Sequence, residues 1–161
     1  ARVINGTTGY YLHDGQHLRP ASGPQRDAMR LQLMRLYSPL VLKQKFDSLT
    51  LSTSEEFVVI TLFERGVRVD YLVNPDNWRI EKVVGSLAIN RSEMQFVTEY
   101  SNFEFRDGVL VHLNENKFAG GTNTAVLELR RITLDAELSD SEFMPEHHPS
   151  ISPEQEREET I

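Results

Sequence analysis

The chain has 161 residues, 39% of them hydrophobic, and no cysteine, so it is long enough to bury one core while disulfides, thiol nucleophiles and Cys-ligated metals are excluded. The formal charge of -7 comes from 24 acidic and 17 basic residues. Much of the excess lies at the end, where Glu146, Glu154, Glu156, Glu158 and Glu159 are balanced only by Arg157; the remainder is slightly acidic, which argues against nucleic acid as the main ligand.

The chain opens on Ala1-Arg2-Val3-Ile4-Asn5, which reads as the middle of a strand. Residues upstream, a cleaved leader or more of the domain, are therefore expected in the parent protein. Arg2–Asn5 and Thr8–His13 read as strands about Gly6, and Asp14-Gly15 turns the chain into Gln16–Arg19. Pro20-Ala21-Ser22-Gly23-Pro24 is a break. The spacing then predicts a helix from Pro24 to Tyr37, capped by Ser22 or Gly23, with Pro24 suited to its first position. Met29, Leu33, Leu36 and Tyr37 fall on one face, and Leu31 and Met34 widen the stripe. Ser38-Pro39 restarts a short helix whose apolar side is Leu40, Val41, Leu42 and Phe46. Two short helices among strands must cover one face of a sheet or plug one end of it.

Leu49–Ser52 reads as a short strand, and a long antiparallel meander follows. Its predicted strands are Phe57–Glu64, Val67–Val73, Trp78–Leu87, Glu93–Phe105, Val109–Glu115 and Thr124–Leu134. The turn signals between them are Arg65-Gly66, Asn74-Pro75-Asp76-Asn77, Asn90-Arg91-Ser92, Asp107-Gly108 and Gly120-Gly121. Val67, Val69, Tyr71 and Val73 share one face. Phe57–Phe63 is apolar on both sides, as a central strand covered on both faces would be. Met94, Phe96, Thr98 and Tyr100 share a face, whereas Phe103 and Phe105 have the opposite parity, which places a bulge or bend at Ser101-Asn102. A second switch falls at Arg130-Arg131. Long strands with such switches predict a strongly curved sheet. Residues 146–161 carry Pro149, Pro153 and a charge run, the composition of a disordered acidic tail.

The search for chemistry finds few constellations. His13 and His17 flank a turn, and Glu146-His147-His148 lies in the tail, so neither is expected to hold a metal. There is no Gly-x-Ser-x-Gly elbow and no phosphate-binding glycine loop. His112 reads as a solvent-facing or ladder histidine, opposite Val109, Val111 and Leu113. Asn5-Gly6-Thr7 and Asn90-Arg91-Ser92 match the glycosylation tripeptide, a pattern common by chance. No run of about 18 apolar residues predicts a membrane span. What remains is the aromatic content of the sheet, an ordinary core or the lining of an apolar pocket.

One resemblance emerges from the order of several short motifs. Tyr71-Leu72-Val73-Asn74-Pro75 is followed by a strand with Ile80-Glu81-Lys82. Then come Tyr100-Ser101-Asn102-Phe103 and Phe105-Arg106-Asp107-Gly108-Val109, and finally Ile132-Thr133-Leu134-Asp135 with Asp140-Ser141-Glu142-Phe143-Met144-Pro145. Together these resemble the LolA-like domains of periplasmic lipoprotein carriers over most of residues 1–145. The proline that follows the Gly-(Val/Leu) turn in that family is absent here, and its N-terminal helix and first strands have no counterpart.

The resemblance implies an α+β fold, a strongly curved antiparallel half-barrel whose open side is covered by short helices. It implies a domain over 1–145, lacking its N-terminal strands, and a tail over 146–161. It implies binding and transfer of a lipoprotein or acyl chain in an apolar cavity, in the periplasm or cell envelope, without cofactor, metal or catalytic residue. Strand parity nominates Tyr71, Trp78, Met94, Phe96 and Tyr100 as the cavity lining. The alternative expectation is an accessory or sensor domain of a larger envelope protein, with a peptide or protein partner.

Overall fold

The structure, a computed structural model, describes residues 2–5, 8–13, 17–89, 92–134 and 137, with backbone alone for residues 2–19 and Ile89. The turns at Gly6 and Asp14-Gly15, both glycosylation tripeptides in part, the Asp140–Pro145 motif and the tail histidines lie outside the described residues. By backbone contacts the chain divides into two units, one of residues 1–22 with 137–161 and one of residues 23–136. In the first unit, β1 (Arg2–Asn5), β2 (Thr8–His13) and β3 (His17–Pro20) form an antiparallel sheet in chain order, with His13 opposite His17.

The second unit opens on helix α1 (Gly23–Met34) and helix α2 (Pro39–Gln44). Gly23 takes a left-handed φ of 52° immediately before Pro24. Ser38 caps α2, its Oγ accepting from the Val41 amide at 3.4 Å, and Pro39 fills the first position, where no amide is required. The helix expected to reach Tyr37 ends at Met34. Its last turn tightens, with Leu36 N donating to Leu33 O at 3.0 Å and Tyr37 N to Met34 O at 3.1 Å. Leu36 thereby swings outward to 64% exposure, and the buried stripe is Met29, Leu31 and Met34.

After a 3-10 turn at Phe46–Ser48 come β4 (Leu49–Thr53), β5 (Val58–Glu64), β6 (Val67–Val73), β7 (Ile80–Ile89), β8 (Ser92–Arg106), β9 (Val109–Ala119) and β10 (Thr122–Glu128). These seven strands form one antiparallel meander in chain order, open between the edge strands β4 and β10. The unit is therefore α+β with an antiparallel sheet. Three of its hairpins close on two residues with positive φ: Arg65-Gly66, Asp107-Gly108 and Gly120-Gly121. Such turns match the right-handed twist of the strands they join.

Four expectations are corrected. Trp78 does not begin a strand: it sits in a turn at φ 59°, and β7 starts at Ile80. Asn74 Oδ1 accepts from Asp76 N and Asn77 Oδ1 from Arg79 N, each at 2.9 Å, and these local bonds outcompete the ladder. The strand expected to stop at Glu115 runs unbroken to Ala119, because β8 pairs with it throughout. The last strand ends at Glu128, so the Arg130-Arg131 switch falls beyond it; the register shift in β10 lies between Asn123 and Ala125. Finally, β5 is not covered on both faces. Leu62 is fully buried, but its neighbour Phe63 is 63% exposed.

The switch at Ser101-Asn102 takes an instructive form. Asn102 adopts φ 56°, yet Ser101 opposite Asn114 and Phe103 opposite His112 keep one register. The rings of Tyr100 and Phe103 both meet His112, so residues of opposite parity share a face on β8. On β9, His112 and Glu115 are likewise in contact. Both strands switch together, so the register is the same on either side of Asn102 and Leu113.

Packing is centred on α1 over β6 and β7. Leu31, Met34 and Leu42 meet Leu62, Val67, Val69, Tyr71, Val83 and Leu87, with Ile60, Phe96 and Tyr100 packed around them. Gly85, between Val69 and Phe96 in the sheet, is where the helix comes closest. A Cβ there would overlap Leu31 Cδ1 and lie 3.0 Å from Arg35 Cδ. Gly85→Ala is expected to lower stability by about 1–3 kcal/mol through this overpacking, and combining it with Leu31→Ala should cost less than the sum of the two. Urea midpoints of the four proteins check this; a purely additive pair would show that the contact is not what fixes the glycine.

Candidate functional site

The α1-covered face changes character across the sheet. In one cross-strand row Ile60, Tyr71, Val83, Thr98 and Lys117 lie side by side on β5 to β9, running from apolar to charged. At the centre Tyr71 is 0% exposed, and its hydroxyl donates to Met34 O at 2.6 Å, closing the end of α1 onto β6. Burial, reinforced by Tyr37, Tyr100 and Glu64, raises this phenol above its ordinary pKa.

Of the five residues nominated from parity, the structure brings four onto this face, three of them packed at the core and Met94 at its margin. Tyr71 is core, Phe96 is half-buried against it, and Tyr100 is half-buried with its hydroxyl donating to Arg35 O at 3.4 Å. Met94 lies towards the start of β8, opposite Leu87, at 38% exposure. Trp78 is 73% exposed on its turn. The space beneath α1 at Tyr71 is occupied by Met34 and Leu31.

Two flanks border this filled centre. On the β4 side a set of large apolar side chains remains in solvent: Leu36 at 64%, Leu40 at 74%, Phe46 at 71% and Leu51 at 68% exposure. Their neighbours along the chain, Tyr37, Leu42 and Leu49, pack in or on the core. Lys45 is the charged neighbour, bonded to Glu64 at 2.9 Å with its ammonium 5.4 Å from the Tyr37 ring centroid.

On the β8–β9 side lies a polar cluster that sequence reasoning missed. Glu115, only 8% exposed, bonds His112 Nε2 at 2.9 Å through Oε1 and Lys117 Nζ at 2.8 Å through Oε2. Arg35 donates from Nη2 to Thr98 Oγ1, while its Nε is buried with no acceptor among the described residues. The His112 ring lies 4.3 Å from that of Tyr100 and 6.4 Å from that of Phe103, and the Arg79 guanidinium stands 5.2 Å over Phe103. His112 is thus half-buried in the β8–β9 ladder opposite Phe103, the second of the two places expected for it. The alternation of Glu115 with Lys117 on one strand face was a usable signal; the arrival of Arg35 and His112 was not.

The electrostatics follow from burial and pairing. Burial alone would raise the Glu115 carboxyl, but the hydrogen bonds and charges of Lys117 and His112 prevail and hold it below the ordinary carboxyl range. Burial beside Glu115 pushes the Tyr100 phenol up to about 12, with Arg35 opposing. Burial lowers Arg35, and Tyr100 and Glu115 counter it. Both oxygens of Glu115 are already engaged, so the carboxylate organises its donors. Among the described residues no group of three or more acidic, His or Cys side chains gathers as metal ligands, and no helix is long and apolar enough to cross a membrane.

No protein-family model matches the chain, and comparison with curated proteins and with solved structures gives no match either.

Two outcomes test this account. Glu115 has a lowered folded-state pKa, so its pairing contributes stability above the ordinary carboxyl value of 4.5 and loses it as pH falls through the folded value. Glu115→Gln should therefore be less stable than the parent at neutral pH, with the gap narrowing in acid; urea midpoints that differ equally at both pH values would contradict this. Tyr71→Phe removes the shorter of two bonds to the Met34 carbonyl, which keeps Tyr37 N, and should cost about 1 kcal/mol, more than Tyr100→Phe, whose bond is longer. Thermal melts of the two variants compare them.

Proposed function

We propose that this domain binds the acyl chain of a lipid or lipoprotein, as a carrier of the LolA-like kind in the bacterial cell envelope. In this reading the sheet is a half-barrel, α1 and α2 are its lid, and no residue acts as a catalyst. The observation that carries it is the exposure of four large apolar side chains, Leu36, Leu40, Phe46 and Leu51, on segments whose neighbours Tyr37, Leu42 and Leu49 pack in or on the core. Large apolar side chains grouped at a surface mark a place where something apolar docks. A chain laid along them would gain about 0.8 kcal/mol for each methylene removed from water. The ordered motifs from Tyr71–Pro75 to Phe105–Val109 add to the support.

A second reading, an accessory or sensor domain that takes a peptide or protein strand, is favoured by β4. This edge strand of the sheet is exposed at Thr50 to Thr53 and can accept a further strand.

Displacement of a fluorescent fatty acid separates the two. The purified protein should bind the probe, and Leu40→Asp and Phe46→Asp should each weaken it about tenfold or more, since either removes the burial of a large apolar group. Trp78→Ala and Phe105→Asp, exposed elsewhere, should leave it unchanged. Protein that binds no probe and carries no acyl chain in native mass spectrometry would leave the strand-accepting reading in its place.

A further inference from the structure

We infer that the polar cluster of β8, β9 and the end of α1 is a binding site for a small oxyanion, a carboxylate or a phosphate. The first argument is charge. Arg35 and Lys117 are permanent cations beside a single carboxylate, Glu115. Two positive groups against one negative leave this half-buried cluster with an excess of one positive charge. Charge in such a setting is little screened by solvent and seeks a counter-charge.

The second argument is hydrogen bonding. An ammonium has three N–H donors and a guanidinium five, and neither accepts. The side-chain acceptors present are the carboxylate of Glu115, bonded by His112 and Lys117, and Thr98 Oγ1, bonded by Arg35. The Arg35 backbone carbonyl is taken by Tyr100. Donors thus outnumber acceptors, and Arg35 Nε is the buried donor left over among the described residues. A carboxylate or phosphate is acceptor-rich and fits that surplus.

The third argument is access. The side chains of Lys117 and His112 are 34% and 32% exposed, so solutes reach them, while Glu115 behind them is nearly closed off. The rings of Tyr100 and Phe103 flank the imidazole and limit competing water. This site and the apolar flank lie on opposite sides of β6 and β7 in the sheet order, and the inference does not rest on the acyl-chain reading.

The test is a titration of the isotope-labelled full chain with inorganic phosphate and, separately, with acetate, at ionic strength held constant with sodium chloride. The NMR signals of the His112 and Tyr100 rings report occupancy. A saturable shift with at least one of the two anions is expected, and the one that saturates names the class. Lys117→Met should weaken it about tenfold or more, the loss of one charge-assisted hydrogen bond. Lys82→Met, on the opposite face and paired with Glu99, should bind as the parent does. Signals that move no further with either anion than with chloride, or equal binding by Lys117→Met and the parent, would overturn the site. Should Lys117→Met not fold, the parent titration decides alone. Neither anion carries an acyl chain, so this failure and failure of the fatty-acid experiment are independent.

Discussion

Helix α1 lies on the sheet at the one place in β7 that has no side chain. Gly85, flanked by Val69 and Phe96, lets Leu31 descend onto the strands, and the rest of the covered face depends on that approach. Met34 is then brought within reach of the Tyr71 hydroxyl, and Arg35, one residue on, within reach of Thr98. A larger residue at 85 would lift the helix and loosen all three contacts together, since interiors packed to native density do not absorb a methyl group freely.

From this seat the face divides. Towards β4 the helices present more apolar surface than the sheet covers, and Leu36, Leu40 and Phe46 stay in water. Towards β9 the strands present charge to a place that is half dry. Burying Glu115 without partners would be costly, and Lys117 and His112 make it tolerable by occupying both its oxygens. The same covered face thus offers an apolar border and a cationic one, on either side of a core that Tyr71 and Met34 fill.

Much of the fold was legible because it is encoded locally. Arg65-Gly66, Asp107-Gly108 and Gly120-Gly121 place three hairpins with little help from elsewhere, since positive φ suits glycine and its partner. The alternation of Val67, Val69, Tyr71 and Val73 identified the buried face correctly. Trp78 was misread because an apolar aromatic beside a strand pattern looks like strand, whereas the side chains of Asn74 and Asn77 had already committed the backbone to turns. The β9 strand was cut short because Asn116 looks like a turn residue until β8 and β10 pair with it on both sides.

The sequence by itself determined the antiparallel meander, its hairpin turns and which side of β6 is buried, since each is decided by residues a few positions apart. Only the tertiary structure decided what stands on that buried side. The meeting of Arg35 with Thr98, Tyr100 with His112 and His112 with Glu115 requires α1 to dock at Gly85 and β8 and β9 to switch faces together at Asn102. Contacts between residues more than sixty positions apart, such as Arg35 with Thr98, leave no periodicity or local motif to read, because the register and the helix seat that create them are properties of the assembled sheet.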